Sequence, residues 1–243
     1  MDAKAEKQTI RQRVWGLLEE RGVARFPLPV HGRIPNFAGS ERAAGLLRSH
    51  GIWARARAVL VGPDSPQHPV RERAILDGKV LYMPTPRLRG GFVELRRERV
   101  PRGEERRATS IRHAFRYGRG VGLKGMLPVD LVVVGSVAVD RHGGRIGKGG
   151  GYSDLEYAVL RELWGREIPV VTTVHPLQIV DRVPMEPHDV PVDYIATPAE
   201  VIETRTPYPK PRGIDWGLLS REELARILLL RELKGRVITP GNP

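Results

Sequence analysis

Apolar residues recur along this chain in two rhythms. One is the spacing of three and four that puts side chains on a single helical face. Over residues 4–21 it reads Ile10, Val14, Leu17 and Leu18. It returns at Ser40–His50, Val70–Leu76, Asp154–Trp164, Ala199–Ile202 and Ser220–Leu230, which are predicted as helices. The other rhythm is a short run that is apolar throughout: Ala58–Gly62, Val80–Met83, Leu131–Val134, Val170–Val174 and Tyr194–Ala196, with a shorter element at Val137–Val139. Such strands are buried on both faces, so their alternation with helices predicts a parallel sheet covered on both sides. No repeat and no domain linker interrupts the pattern. Residues 1–243 therefore read as one domain, whose tail after Gly235 is expected to fray.

Ligands of parallel sheets sit beyond the carboxyl ends of the strands. The strand Leu131–Val134 leads, through Val137–Val139, to the loop Arg145-Ile-Gly-Lys-Gly-Gly-Gly-Tyr152, and Asp154 then opens a helical pattern. Bare backbone N–H groups and a helix N-terminus together hold anions. The glycine spacing fits neither a Walker sequence nor a dinucleotide fingerprint. Asp154 reads either as a Mg²⁺ ligand or as a helix-capping carboxylate. Lys7 and Arg11 fall on the edge of the first helix's apolar stripe, where they either snorkel along the core or face an anion. Tyr82, Met83 and Pro84 end a strand and read either as an apolar wall for a flat ring or as ordinary core. His175 ends a strand, where it could line a pocket, though a structural histidine is the simpler reading.

Composition narrows the chemistry. The chain has no Cys, which excludes disulfides, thiolate metal sites and Cys nucleophiles, and no His-x₃-His pair suggests zinc. No apolar run approaches a membrane span and the N-terminus is charged, so a soluble, cytoplasmic protein is expected. Asn and Gln together number six against 21 Pro, which fits a heat-adapted source. The net charge is +12, with 33 Arg and seven Lys, and favours anionic partners. Residues 96–125 hold ten Lys and Arg against three Glu. With recurrent Gly and Pro, and only Ile111–Tyr117 helix-capable, this stretch reads as a mobile basic insertion beside the glycine loop. It is either a solvated loop or an arm that closes over an anionic ligand.

The order Asp130…Gly135, Asp140…Gly144-Arg145, Gly147-Lys148-Gly149-Gly150-Gly151-Tyr152-x-Asp154 resembles the signature of the 5-formyltetrahydrofolate cyclo-ligase (methenyltetrahydrofolate synthetase) family. Lys7 and Arg11, Gly78-Lys79-Val80 running into Pro84, and Gln178, Pro184, His188-Asp189 and Asp193…Thr197 extend the likeness over most of the chain. Tyr82-Met-Pro-Thr-Pro-Arg-Leu88 and Gly135-Ser-Val-Ala-Val139 resemble the divergent "domain-containing" branch. The resemblance implies an α/β three-layer sandwich with a mostly parallel sheet, of the NagB/RpiA/CoA-transferase kind. It also implies a ligase that forms a C–N bond with ATP hydrolysis. The formyl oxygen of 5-formyltetrahydrofolate attacks the γ-phosphate, the ring closes to 5,10-methenyltetrahydrofolate, and phosphate leaves.

On that resemblance, Lys7, Arg11, Gly147, Lys148, Gly149, Gly150, Gly151 and Tyr152 bind ATP. Arg145 and Lys148 act on the transferred group, Asp154 holds Mg²⁺, and Tyr82, Met83, Pro84 and Ser153 face a reduced folate. Two departures fall on the folate side. Ser153 stands where the family carries a second Tyr, and Pro63-Asp-Ser-Pro-Gln-His-Pro69 offers only Asp64 where a folate-contacting Glu is expected. Two alternatives follow: a Mg-ATP-binding protein with a non-folate substrate, or an RNA-associated basic module without this activity. The second lacks any Lys/Arg-Gly-aromatic-Gly-aromatic run, so nucleic-acid binding is expected to be weak.

Overall fold

The computed structural model describes residues 2–237. Its strands are β1 (Ala24–Arg25), β2 (Asn36–Phe37), β3 (Ala58–Val61), β4 (Val80–Pro84), β5 (Phe92–Leu95), β6 (Arg119–Val121), β7 (Leu131–Val134), β8 (Ala138–Asp140), β9 (Arg145–Ile146), β10 (Val170–Thr173), β11 (Ile179–Val180), β12 (Tyr194–Ala196) and β13 (Val201–Glu203). The helices are α1 (Ala3–Glu20), α2 (Ser40–Arg48), α3 (Gly51–Arg55), α4 (His68–Leu76), α5 (Glu105–Ala108), α6 (Ala114–Tyr117), α7 (Tyr152–Trp164), α8 (Arg221–Arg226) and α9 (Leu228–Val237).

The apolar runs form the centre of an eight-stranded sheet of order β13-β12-β10-β7-β3-β4-β5-β6. Its inner pairs are parallel, with Leu60 opposite both Val132 and Tyr82. Its edges are antiparallel. Successive residues alternate between two cores. Ala58 and Leu60, with Tyr82, Val132 and Val170, pack under Tyr157, Val159 and Leu160 of α7 and Leu230 and Leu233 of α9. Val59 and Val61, with Leu81, Met83 and Val133, pack under Leu47 of α2, Trp53 of α3 and Val70, Ala74 and Ile75 of α4. Helices on both faces of a mostly parallel sheet make the expected three-layer sandwich. Helix α1 stands apart. It lays Ile10, Val14, Trp15 and Leu18 on Val137, Ala138 and Ile146 of a small β11-β8-β9 sheet.

Three expectations need correction. The helix expected at Ala199–Ile202 is the edge strand β13, antiparallel to β12. A turn feeds it, in which the Thr197 hydroxyl accepts from the Ala199 and Glu200 N–H groups. The helix expected over Ser220–Leu230 is interrupted at Ile227, a buried residue in extended conformation between α8 and α9. The basic stretch 96–125 is not a mobile insertion. It carries α5, α6 and β6, and β6 closes the sheet beside β5, a strand missed in the pattern. Four of its ten cations are held in ion pairs. Arg96 and Arg119 both reach the buried Glu94, Arg97 reaches Glu105, and Arg106 reaches Glu41 and Glu72. The tail at 238–243, part of the stretch expected to fray, lies outside the described residues. Among the described residues no helix is long and apolar enough to cross a membrane.

Candidate functional site

The site is built where strands β3, β7 and β10 end. Strand β7 passes through Gly135 and Ser136 into β8, and β9 delivers Arg145 to the start of the glycine loop. The loop can turn because Gly149 (φ 105°) and Gly151 (φ 67°) take left-handed conformations that a side chain resists. Gly151 is also the N-cap of α7, so the first-turn N–H groups of α7 follow directly on the loop. Gly135 has a different reason to be glycine. A Cβ there would meet Ile34 at 2.8 Å and the Gln67 Oε1 at 3.0 Å.

Helix α1 carries two cations to this loop. Arg11 donates from Nε to the Gly147 carbonyl at 2.8 Å, and its guanidinium lies beneath Gly149. Burial lowers its pKa, Asp189 opposing and Arg145 adding to the effect. Lys7 is spoken for. Its ammonium donates to Asp189 at 2.5 Å and Glu186 at 2.7 Å, which fixes α1 to the segment before β12. Glu186, His188 and Asp189 bring their ligand atoms within 4.8 Å of one another, and the Lys7 ammonium bridges the two acids.

Arg145 is the centre of the buried network. It donates to Asp154 at 2.6 Å, to the Gly135 carbonyl at 3.0 Å and to the Val190 carbonyl at 3.4 Å. The same Asp154 oxygen accepts from the Val190 N–H at 3.0 Å. Asp154 therefore does not cap its own helix, one of the two roles open to it. Lys148, at the loop's outer edge, pairs with Asp64 at 2.7 Å. Asp64 sits on the β3–α4 loop, whose Gly62 and Asp64 carbonyls are held by the buried Arg71.

Tyr82, Met83 and Pro84 are sheet core. Tyr82 and Met83 are buried on opposite faces, and the Tyr82 hydroxyl is engaged by Glu94 and the Leu127 N–H. They form no wall. The cavity beside the loop, about 970 Å³, is lined instead by Gly149–Tyr152, Asp154, Leu155, Pro187, His188 and the segment from Pro211 to Leu219. Ser153 is half-buried in the first turn of α7. His175, as expected, is structural: it caps a short turn and lies edge-on to Phe37.

Two polar groups were missed. Gln67, fully buried, donates to Thr173 and leaves its Oε1 without a partner beside Gly135. Glu156 is 7% exposed, and its carboxyl has no hydrogen-bond or ion-pair partner among the described residues. Burial, then Asp64 and Asp154, push its pKa up to about 8 against the pull of Arg145 and Lys148. A signal for Glu156 was present: at helical spacing it shares a face with the core residues Val159 and Leu160.

With this geometry in place, comparison with known proteins is decisive. The family model described as the 5-formyltetrahydrofolate cyclo-ligase family matches residues 3–198. The chain belongs to that family. The human methenyltetrahydrofolate synthase domain-containing protein is 44% identical over 245 residues, covering 97% of this chain but 63% of that protein. The chain thus spans under two thirds of that relative's length. The 5-formyltetrahydrofolate cyclo-ligase of Mycolicibacterium smegmatis is 35% identical over 71 residues, covering 28% of this chain and 34% of that one. The solution structure of the Aquifex aeolicus 5,10-methenyltetrahydrofolate synthetase superposes with a TM-score of 0.51 at 22% identity, over 82% of this chain and 93% of that one, and agrees in fold. The family match stops at residue 198. The cavity wall at Pro211–Leu219 and the helices α8 and α9 lie beyond it.

Proposed function

We propose that this protein converts 5-formyltetrahydrofolate to 5,10-methenyltetrahydrofolate with Mg-ATP. One observation carries the reading. Arg11, Arg145 and Lys148 gather around a loop of four closely spaced glycines that runs into a helix N-terminus, beside a cavity of ligand size.

The residues fit the nucleotide. Gly147, Gly149, Gly150 and Gly151 add no side chain to the loop, so a phosphate can approach their N–H groups, and Arg11 and Lys148 supply charge. Lys148 is half-exposed on a flexible stem and can leave Asp64 for a phosphate. Lys7 acts at one remove, by locking α1 and hence Arg11 in place. The residues also fit Mg²⁺: Asp154 spends one oxygen on Arg145 and Val190 and keeps the other for a cation. Bound ATP supplies a phosphoryl group that turns the formyl oxygen into a leaving group, so that a nearby folate nitrogen closes onto the carbon. Arg145, buried and fixed by Asp154 and the Gly135 and Val190 carbonyls, presents a preorganised positive charge at the loop. A flat ring has Tyr152, Leu155, Ala158, Leu218 and Leu219 to lie against.

A spectrophotometric assay for methenyltetrahydrofolate from 5-formyltetrahydrofolate and Mg-ATP, run hot as well as at room temperature, tests the reading. Turnover that depends on both substrates is expected. Nucleotide binding without turnover or folate binding favours a non-folate substrate. Absence of nucleotide binding overturns the reading.

A further inference from the structure

A second cavity adjoins the one beside the glycine loop. It measures about 360 Å³ and shares Tyr152 and Glu223 with its larger neighbour, so the two meet at those side chains. Its other walls are the loop after β4, with Arg87 and Arg89, and the helix α8, with Glu222 and Arg226. Helix α8 lies beyond residue 198, so this wall is outside the part of the chain that the family model matches.

The charges of this cavity are only partly spent. Arg226 pairs with Glu222 along α8. Glu223 accepts with one carboxylate oxygen from both the N–H and the hydroxyl of Ser220. The Arg87 and Arg89 guanidiniums are exposed and have no hydrogen-bond or ion-pair partner among the described residues.

Unpaired arginines are ordinary on a solvated surface, but this pair stands on an unusual backbone. Arg87 and Leu88 take successive left-handed conformations, φ 55° and 53°, which side chains resist. The turn is held in that shape. Thr85 bonds through its backbone and its hydroxyl to Leu88, Gly90 and Gly91. Leu88 is fully buried in the core against which Tyr152 packs. It is the pin, and the arginines on either side of it line the cavity. Strained backbone held by its surroundings concentrates at ligand-binding positions.

The nucleotide phosphates already have the glycine loop, with Arg11, Arg145 and Lys148. The other anion in the proposed reaction belongs to the substrate, since a folate ends in the carboxylates of a glutamate or of a chain of glutamates. The planar guanidinium matches a carboxylate, which it can hold by two parallel hydrogen bonds. A flat ring lying on Tyr152 and Leu155 in the larger cavity would leave the glutamyl end to pass Tyr152 into the smaller one.

We propose that the smaller cavity is the seat of the substrate's glutamyl carboxylates, read by Arg87 and Arg89. This rests on the folate reading above and makes the loop after β4 a determinant of substrate choice, apart from the chemistry at the glycine loop.

Equilibrium binding in the presence of a non-hydrolysable ATP analogue tests it. The probes are 5-formyltetrahydropteroate, which lacks glutamate, 5-formyltetrahydrofolate, and the same folate bearing a chain of γ-linked glutamates. Wild-type affinity should rise along that series, and the rise should shrink with added salt, which screens exposed charges. Arg87→Gln and Arg89→Gln together remove exposed groups that hold nothing else, so the double variant should fold. It is expected to bind the chain-bearing folate about tenfold or more weakly, near 1.4 kcal/mol. Its affinity for the pteroate and for the ATP analogue should stay within about twofold, under half a kcal/mol. Each single variant carries the test if the pair does not fold.

Equal wild-type affinity for all the probes overturns the seat while leaving the folate reading standing. So does a double variant that keeps the wild-type preference for the glutamate chain. Loss of the ATP analogue in the double variant, with the preference intact, assigns the arginines to the nucleotide and also overturns the seat. A wild-type protein that takes up none of the probes overturns the seat and the folate reading together.

Discussion

Arg145 and Asp154 meet at 2.6 Å across the two ends of the glycine loop, one in β9 and the other in the first turn of α7. Their ion pair ties the loop into a closed noose, so the flexible glycines between them have fixed endpoints. Val190 shares both partners, giving its N–H to Asp154 and its carbonyl to Arg145, which binds the noose to the segment before β12.

This pair sets the first prediction. The Arg145 side chain is 2% exposed and that of Asp154 16%. Removing one member of such a buried pair strands the other and costs about 3–5 kcal/mol. Arg145→Ala and Asp154→Asn should therefore both lower unfolding free energy in denaturant titrations by that order. Arg145→Lys keeps the charge but loses the planar fork of donors and should recover only part of the loss. Full stability in Arg145→Ala would mean that the loop holds its shape without the tie.

Lys148 gives the opposite profile. Its pair with Asp64 is half-exposed at the lysine and lies at the protein surface, and surface pairs contribute about 0–1 kcal/mol. Lys148→Ala should melt within a few degrees of wild type. Its gain in melting temperature with millimolar Mg-ATP should shrink or vanish, because a ligand stabilises only as far as it binds. A variant whose melting still rises with nucleotide as wild type does would leave Lys148 as a surface tether for Asp64.

Helix α1 should respond to acid. The hydrogen bond from Lys7 is the chief reason that the Glu186 carboxyl is held below its ordinary value of 4.5. A carboxylate depressed in the folded state adds stability above the unfolded pKa, and that stability is lost as pH falls through the folded pKa. Docking of α1 should thus be at full strength above about pH 5 and weaken below 4.5. Hydrogen exchange over residues 3–20 should accelerate in acid before the strands β3, β7 and β10 do. Lys7→Met should flatten that acid response. Equal protection of α1 at pH 4 and pH 7 would show that its apolar stripe alone holds it.

What the sequence made legible follows from where the chain is repetitive. β7 and β12 were read to the residue, because a strand buried on both faces leaves an unbroken apolar run. The alternation of such strands with helices was enough for the layered fold. β5 and β6 were hidden for the opposite reason: they are the antiparallel strands on one side of the sheet, with Glu94 and Arg119 inside them, and their charges are matched across the pair rather than along the sequence. The glycine loop stood out because its chemistry is local. Its partners did not, since Asp64 lies 84 residues from Lys148 and Glu186 lies 179 from Lys7. Tyr82 and Met83 carried two readings, and the pleat decided for core by sending them to opposite faces. Glu156 was visible only as a charge at a core position.

Glu156 also makes stability depend on pH in a way that can be isolated. The groups that face it are Asp64 on the β3–α4 loop, Asp154 on its own helix, and Arg145 and Lys148 on the glycine loop. Burial, reinforced by the two carboxylates, raises its pKa from 4.5 to about 8. The folded state then binds a proton that the unfolded state has released, so stability falls as pH rises between these values and levels off above them. The slope is at most about 1.4 kcal/mol per pH unit for one group. Glutamine keeps the shape and cannot ionise. Glu156→Gln and wild type should therefore differ little in unfolding free energy near pH 4.5, and the variant should gain on wild type by a few kcal/mol by pH 8. Parallel denaturant titrations from pH 4.5 to 9 read this directly. A difference that stays constant across the range would show that the Glu156 carboxyl ionises as freely in the folded protein as in the unfolded chain.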